Sequence, residues 1–124
     1  MKVVLAIDDS KVVLIQLKKY LNKRLPNCEV MTETDPINGL EIARTHQKKI
    51  DLLIVDYNMD EKNGIEVMDD ALEFISADKL VLCTVNTQEI LIEKVRSRGV
   101  RYLPKPLSQE KIDSLIQEHQ LKTA

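Results

Sequence analysis

The stretch Leu52-Leu53-Ile54-Val55-Asp56 is a continuous apolar run that ends in a carboxylate. An apolar run without polar alternation is typical of a central parallel strand that is covered on both faces. Residues 3–7, Val-Val-Leu-Ala-Ile, form a second such run, and it leads directly into Asp8 and Asp9. Two strands of this kind that both end in aspartate predict a parallel sheet with acidic residues at one edge.

Helix and strand patterns alternate along the chain, which predicts five βα units in one compact domain over residues 1–124. The predicted strands cover about residues 2–7, 28–32, 52–55 and 79–84, with a short fifth strand through Tyr102. The predicted helices cover about residues 10–24, 35–46 and 86–98, and two more begin near Gly64 and Ser108. Asp35 before Pro36 predicts a helix N-cap, and Gly99 predicts a helix end.

Apolar residues at helical spacing indicate which face of a helix is buried. The expected stripes are Val13, Leu17 and Leu21 in the first helix, Ile37, Leu40 and the weaker Ala43 in the second, and Ile90, Leu91 and Val95 in the fourth. The last group is interpreted as core, with an edge on a partner surface as the alternative. Gly39, inside the second helix, is expected to permit close packing on the sheet.

The composition is that of an ordinary globular protein, with 44% hydrophobic and 31% charged residues. Eighteen basic residues nearly balance twenty acidic ones, so direct contact with nucleic acid is not favoured. One basic cluster is interpreted as a solvated helix face; its members are Lys94, Arg96, Arg98 and Arg101.

The chain has no apolar run as long as a membrane span and no signal-peptide layout, so no membrane insertion is expected. Cys28 and Cys83 both lie in strand-like runs, where a reduced cysteine behaves as a small hydrophobic residue. These features favour a cytoplasmic protein with free thiols.

Five side chains are predicted to meet where the strands end: Asp8, Asp9, Asp56, Thr84 and Lys105. The carboxyl ends of parallel strands line one edge of a sheet, which is where ligands bind. Three carboxylates within a few ångströms repel one another unless a cation joins them. Mg²⁺ takes oxygen ligands and commonly uses one or two carboxylates together with a phosphate. The set therefore predicts a site for a divalent cation and a phosphoryl group.

Asp56 is the candidate nucleophile, because a carboxylate can attack phosphorus and form an aspartyl phosphate. Phosphoryl transfer mainly requires positioning and neutralisation of the phosphoryl oxygens. Lys105 is expected to contact one oxygen as a point charge, and Thr84 to hydrogen-bond another. His46 and His119 have no matching partner, so neither is expected to bind metal or carry phosphate.

The chain resembles the receiver domains of two-component response regulators, and the stand-alone chemotaxis type in particular. The residues that carry the resemblance are Asp8, Asp9, Asp56, Thr84 and the Lys105-Pro106 pair. Met59 and Gly64 stand in register in the loop after Asp56, and residues 102–106, Tyr-Leu-Pro-Lys-Pro, are similar to the last-strand motif. The resemblance covers essentially the whole chain.

The resemblance implies a flavodoxin-like, doubly wound α/β fold with a five-stranded parallel sheet in the order 2-1-3-4-5. It implies Mg²⁺ as the cofactor, with Mn²⁺ as a substitute. Asp9 and Asp56 would ligate the cation directly, Asp8 would act through water, and Asn58 would give its backbone carbonyl. The bond between Lys105 and Pro106 is expected to be cis.

The resemblance also implies a signalling function. Asp56 would accept phosphate from a histidine kinase or a histidine phosphotransfer protein, and the domain would catalyse only its own phosphorylation and dephosphorylation rather than act as an enzyme. Thr84 and Tyr102 would be the switch pair, with Thr84 moving to the phosphoryl oxygen and the Tyr102 ring turning inward. Helix 4, strand 5 and helix 5 would pass the signal to a downstream protein target or output domain.

Three residues depart from the family pattern. Asp60 stands where proline is usual, and Lys62 stands where an apolar residue is frequent, so the loop after Asp56 is more polar. Val85 follows Thr84 where a small residue is usual. This branched side chain is expected to narrow access to Asp56.

Two other functional classes stay open from the residues alone. A phosphohydrolase of the haloacid dehalogenase type also uses a strand-end aspartate with Mg²⁺, but it would need a second aspartate where Asn58 stands. A phosphate-independent interaction module would keep only the fold, and the complete acidic set with Thr84 and Lys105 argues against it. The residues leave open whether the receiver acts alone or belongs to a longer protein.

Overall fold

The computed structural model describes residues 2–59 and 63–123 of the chain. The strands in these residues are β1 Val3–Ile7, β2 Glu29–Glu33, β3 Leu52–Asp56, β4 Leu80–Thr84 and β5 Arg101–Pro104. The helices are α1 Lys11–Arg24, α2 Pro36–Thr45, α3 Gly64–Ala71, α4 Glu89–Ser97 and α5 Gln109–Thr123, and a 3₁₀ helix, Ala77–Lys79, precedes β4. The strands form one parallel sheet in the order β2-β1-β3-β4-β5, which confirms the predicted fold.

Helices cover both faces of the sheet, and the three central strands are buried along their whole length. Because successive side chains of a strand point to opposite faces, these strands contribute to two separate cores. Leu5 and Leu53 belong to the core under α2, α3 and α4, whereas Ala6 and Ile54 belong to the core under α1 and α5. No helix in the described part of the chain is long and apolar enough to cross a membrane.

The register of the sheet brings the ends of β1, β3 and β4 to nearly the same level. Ile7 pairs with Val55, and Asp56 pairs with Cys83. The residue after β1, Asp8, therefore emerges beside Asp56 at the carboxyl edge of the sheet.

The buried stripe of α1 differs from the predicted one by one residue. It consists of Leu14, Leu17 and Leu21, whereas Val13 is half-buried and packs against the edge of the same core, so its prediction is confirmed only in part. Steps of three and then four residues keep a stripe on one side of a helix with 3.6 residues per turn. Residues that are spaced by two successive steps of four, such as 13, 17 and 21, move progressively around the helix and away from that side.

The same geometry explains the error in α2. Its buried apolar residues include Pro36, Leu40 and Ala43, again at steps of four and three. Ile37 was predicted to face inward, but it is 56% exposed. Ile37 lies one residue, and therefore about 100°, from the buried stripe.

α4 begins later than predicted, at Glu89, because the residues before it form a loop. In this loop the Asn86 side chain accepts the Gln88 N–H at 2.9 Å. The buried residues of α4 are Leu91 and Val95. Ile90 is 70% exposed, so its assignment to the core was wrong.

Two further interpretations are corrected by the structure. Cys28 is half-buried and lies just before β2 rather than within a strand. Arg101 does not lie on a solvated face, because its side chain is only 8% exposed. Its neighbour in the basic cluster, Arg98, donates from Nε and Nη2 to the two carboxylate oxygens of Asp69.

Three local predictions are confirmed. Asp35 is the N-cap of α2, where its carboxylate accepts the Asn38 N–H at 2.8 Å. Gly99 follows α4 with φ of 76°, a conformation that side chains rarely adopt. A Cβ on Gly39 would lie 2.6 Å from Ile7 Cδ1, so the absence of a side chain allows α2 to pack closely on β1.

Gly64 packs closely against the backbone at the end of β3. Its N–H donates to the Tyr57 carbonyl at 2.9 Å, and a Cβ would lie 2.6 Å from both the Asp56 carbonyl oxygen and Tyr57 Cα. Asn63 caps α3 in a capping box with Glu66. Helix α3 therefore starts in direct contact with the backbone of Asp56.

We expect Gly64→Ala to lower the free energy of unfolding by more than Gly39→Ala. The new methyl group at position 64 meets backbone atoms, whereas at position 39 it meets the Ile7 side chain, and overpacking of a core costs about 1 to 3 kcal/mol. Urea denaturation of the two variants beside the unmodified protein measures the difference. A loss at position 64 that is equal to or smaller than the loss at position 39 would contradict this packing.

Candidate functional site

Three carboxylates meet at the carboxyl edge of the sheet, as predicted. One oxygen from each of Asp8, Asp9 and Asp56 lies within 4.8 Å of the others. Asp8 and Asp56 are 2% and 4% exposed, whereas Asp9 is exposed. The cluster is therefore buried on one side and open on the other, and its oxygens fit the ligand preference of Mg²⁺.

Lys105 joins two of these carboxylates. Its Nζ lies 3.0 Å from Asp8 Oδ2 and 3.0 Å from Asp56 Oδ1. The Lys105 N–H donates to the Thr84 carbonyl at 2.9 Å, and the Lys105-Pro106 bond is cis, as expected. Burial works against the charged amine, but the hydrogen bonds to Asp8 and Asp56 together with their negative charges outweigh it and raise the pKa of Lys105.

The environment of Asp56 penalises its negative charge. Burial and the nearby Asp8 carboxylate raise the pKa of Asp56 to about 6, and the contacts with Lys105 oppose the rise only in part. A cation between the carboxylates would remove this penalty, because an opposite charge favours the ionised form.

Asp8 is held in place by partners on both carboxylate oxygens. Oδ1 accepts the Ser10 N–H at 2.9 Å, while Oδ2 accepts from Lys105. Ser10 in turn caps α1, where its hydroxyl accepts the Val13 N–H at 3.3 Å. The start of α1 therefore fixes the orientation of the Asp8 carboxylate.

The structure links the two predicted switch residues through one peptide group. Thr84 is completely buried, and its Oγ1 accepts the Asn86 N–H at 3.0 Å. The Tyr102 hydroxyl donates to the Asn86 carbonyl at 2.8 Å. The sequence carried no signal for this link, because both contacts use the backbone of Asn86 rather than its side chain.

The other residues singled out in the sequence surround this site. Asn58 is exposed in the loop after β3, and Val85 is 62% exposed directly after Thr84. Burial raises the pKa of the Cys83 thiol to about 12, so Cys83 is not a reactive thiolate. Asp60 and Lys62 lie outside the described residues.

Neither histidine contributes to the metal-ligand cluster found among the described residues. His46 Nδ1 lies 3.0 Å from the Ile42 carbonyl at the end of α2. His119 is 4% exposed in α5 and contacts Arg101.

The arrangement combines a buried carboxylate, an acidic cluster that could hold a cation and a half-buried amine. These groups suit phosphoryl transfer to a carboxylate, because that reaction mainly requires charge neutralisation and positioning.

The sequence model of the response regulator receiver domain matches residues 4–117. The chain belongs to the response regulator receiver family. Receiver domains are signalling modules, so membership of this family argues against a phosphohydrolase of the haloacid dehalogenase type.

Relatives of the receiver support the same assignment. The chain is 31% identical to a chemotaxis protein CheY from Treponema pallidum, over 88% of this chain and 76% of the relative. It is 27% identical to CheY from Halobacterium salinarum, over 94% of this chain and 95% of the relative.

Solved structures share the fold of the receiver. A response regulator receiver domain from Clostridium thermocellum superposes with a TM-score of 0.87 at 20% identity, covering 99% of this chain and 97% of its own. The CheX–CheY–BeF3–Mg²⁺ complex from Borrelia burgdorferi matches with a TM-score of 0.83 at 22% identity, covering 94% of this chain and 87% of that chain.

In metal-free receiver, Asp56→Asn is expected to raise the free energy of unfolding near neutral pH by about 1 to 3 kcal/mol, because it removes a penalised buried charge. The pKa of Asp56 is about 6 in the folded protein, above its ordinary value of 3.8. The loss of stability caused by its charge is therefore complete well above pH 6, and it disappears as the pH falls from about 6 towards 3.8. Urea denaturation in EDTA at about pH 7.5 and about pH 5 should therefore show a gain that shrinks with acidification.

The matched control is Glu41→Gln, which neutralises an exposed carboxylate on α2 and should leave stability unchanged at both pH values. An unchanged or lower stability of the Asp56→Asn variant near neutral pH would show that the three carboxylates do not repel one another in one pocket.

Proposed function

We propose that Asp56 accepts a phosphoryl group from the phosphohistidine of a histidine kinase or a histidine phosphotransfer protein in a Mg²⁺-dependent reaction. The observation that carries the proposal is the position of Lys105 Nζ, 3.0 Å from both Asp8 and Asp56 within the carboxylate cluster. A cation on one side and an amine on the other would neutralise the oxygens of a phosphoryl group bound between them.

In this proposal an oxygen of Asp56 attacks phosphorus, and the bond between phosphorus and the donor imidazole nitrogen breaks. The electron pair of that bond leaves with the imidazole. Lys105 turns from the carboxylate of Asp56 towards a phosphoryl oxygen, and Thr84 donates its hydroxyl to another. These contacts act on the charge that develops during transfer, which is where stabilisation accelerates a reaction.

Bound Mg²⁺ would supply positive charge at the phosphoryl oxygens. We assign Asp9, Asp56 and the backbone carbonyl of Asn58 as its ligands, and we assign Asp8 a role through water. Both oxygens of Asp8 already accept hydrogen bonds, one of them from the Ser10 N–H, which supports the indirect role.

The link through Asn86 supports the switch role of Thr84 and Tyr102. When the Thr84 hydroxyl moves to the phosphoryl group, Oγ1 no longer accepts the Asn86 N–H. The Asn86 peptide also holds the Tyr102 hydroxyl, so the change at Thr84 reaches β5 through one peptide group. The proposed output is a changed surface of α4, β5 and α5 that a protein partner recognises, and the CheX complex of the Borrelia burgdorferi relative supports a partner of this class.

Intact-protein mass spectrometry after exposure to a small acyl phosphate tests the phosphoacceptor role. We expect one added phosphoryl group that requires Mg²⁺ and is absent from Asp56→Asn, while the control Glu41→Gln retains it. The carboxylate of Glu41 is exposed on α2 and takes no part in the cluster.

An adduct that persists in Asp56→Asn would contradict the assignment of the nucleophile. Absence of an adduct with both the acyl phosphate and a phosphorylated histidine phosphotransfer protein would favour the phosphate-independent interaction module.

Val85→Ala is expected to raise the rate of phosphorylation by the small donor, or the rate of dephosphorylation, by about two- to tenfold, because it widens the approach to Asp56. Ile90→Ala is the control, since it truncates a similarly exposed branched side chain on α4. Time courses of the phosphorylated mass measure both rates. If Val85→Ala leaves both unchanged, the side chain does not restrict access.

A further inference from the structure

Lys111 holds the backbone of the segment that carries Lys105. It lies in the first turn of α5, and its Nζ donates to the Pro104 carbonyl at 3.1 Å and to the Pro106 carbonyl at 2.6 Å. These two prolines stand on either side of Lys105 in the chain. One ammonium group therefore joins the backbone before Lys105 to the backbone after it.

The composition of this segment makes these contacts important. Proline has no N–H, so Lys105 supplies the only backbone donor of residues 104–106. That donor is used in the hydrogen bond to the Thr84 carbonyl at 2.9 Å. The backbone of the segment is thus tied to β4 by the Lys105 N–H, and it is tied to α5 by the two carbonyls that accept from Lys111.

The helix position of Lys111 disfavours a positive charge. The first turn of a helix carries a partial positive charge from its backbone N–H groups, so a cation is unfavourable there. The Ser108 hydroxyl accepts the Lys111 N–H at 3.2 Å and fixes the residue in this turn. The partial negative charges of the two proline carbonyls compensate the ammonium group. A local conflict with a compensating contact is expected at functional sites rather than in ordinary helices.

The Lys105 amine requires this support because a lysine side chain is long and flexible. Its Nζ lies 3.0 Å from both Asp8 and Asp56, and this position can be kept only if the backbone of Lys105 is held in place. A group that is misplaced by about 1 Å can lower the rate of a reaction on the order of 100-fold. The backbone contacts of Lys111 therefore bear on the chemistry at Asp56.

We propose that Lys111 is a positioning residue for phosphoryl transfer. Its ammonium group fixes the backbone on both sides of Lys105 and so places the Lys105 amine beside Asp8 and Asp56. Lys111 acts through Lys105 rather than on the phosphoryl group. Its effect on the rate rests on the proposed function, whereas its effect on the backbone of Lys105 does not require phosphorylation.

Amide hydrogen exchange, followed by NMR on unphosphorylated, metal-free protein, tests the backbone contact. We expect the Lys105 amide to exchange about tenfold faster in Lys111→Met, because its bond to Thr84 opens more often, while the amides of the central strand β3 are unchanged. Lys111→Arg should restore slow exchange, since a guanidinium can also donate to two carbonyls. The matched control is Lys48→Met, which removes the same charge from an exposed lysine and should leave the Lys105 amide unchanged.

The rate of phosphorylation by a small acyl phosphate tests the positioning role. We expect Lys111→Met to lower this rate by about three- to tenfold, Lys111→Arg to recover it, and Lys48→Met to leave it unchanged. In a protein that already carries Lys105→Met, Lys111→Met should lower the rate no further. The effects of two residues are not additive when one acts through the other.

Several results would overturn the proposal. Unchanged exchange of the Lys105 amide in Lys111→Met would do so even if phosphorylation slowed, because Lys111 would then act through its charge alone. Equally faster exchange of the β3 amides would indicate a general loss of stability, and an equal fall in rate with and without Lys105 would exclude an effect through Lys105. If the unmodified protein takes no phosphoryl group, the proposed function fails, and hydrogen exchange alone decides whether Lys111 fixes Lys105. If Lys111→Met does not fold, Lys111→Gln takes its place.

Discussion

The site depends on one interaction, the contact of the Lys105 amine with Asp8 and Asp56 at 3.0 Å each. Without a cation, the positive charge of this half-buried amine opposes the repulsion between these two carboxylates, and the pKa of Asp56 is still raised to about 6. The surrounding fold holds these three charged side chains close together. The register of β1 and β3 sets the two aspartates side by side, the Thr84 carbonyl holds the backbone of Lys105, and Gly64 brings α3 onto the backbone of Asp56. In the proposed function, a cation bound in this pocket would relieve the repulsion between the carboxylates before a phosphoryl group binds.

The strand ends, and with them the site, could be predicted from the sequence because burial on both faces leaves a plain signal. Continuous apolar runs identified β1, β3 and β4, and parallel pairing then placed Asp8, Asp56 and Thr84 at the same edge of the sheet. Helix faces were less predictable, since a neighbouring apolar residue lies only about 100° away. Ile37 was therefore misplaced by one residue and Val13 lies at the edge of the core rather than within it, although the helices that contain them were identified.

Contacts made by the backbone, and charges buried by tertiary packing, had no signal in the sequence. The Asn86 peptide joins Thr84 to Tyr102 through its N–H and carbonyl groups, which every residue except proline carries. Arg101 was grouped with exposed basic residues because of its neighbours in the chain, yet the end of α5 and the Asp78 carbonyl enclose it. The two features lie on β5 and the loop before α4, so the region proposed for output is also the region that the sequence described least well.

Fluorine NMR of the protein with beryllofluoride, a phosphoryl analogue that binds to carboxylates, tests whether Asp56 and a cation together form a phosphoryl site. We expect bound fluoride signals that require Mg²⁺ and that disappear in both Asp56→Asn and Asp9→Asn. Bound signals that form without Mg²⁺, or that persist in Asp56→Asn, would contradict the claim that a cation and Asp56 together form the phosphoryl site.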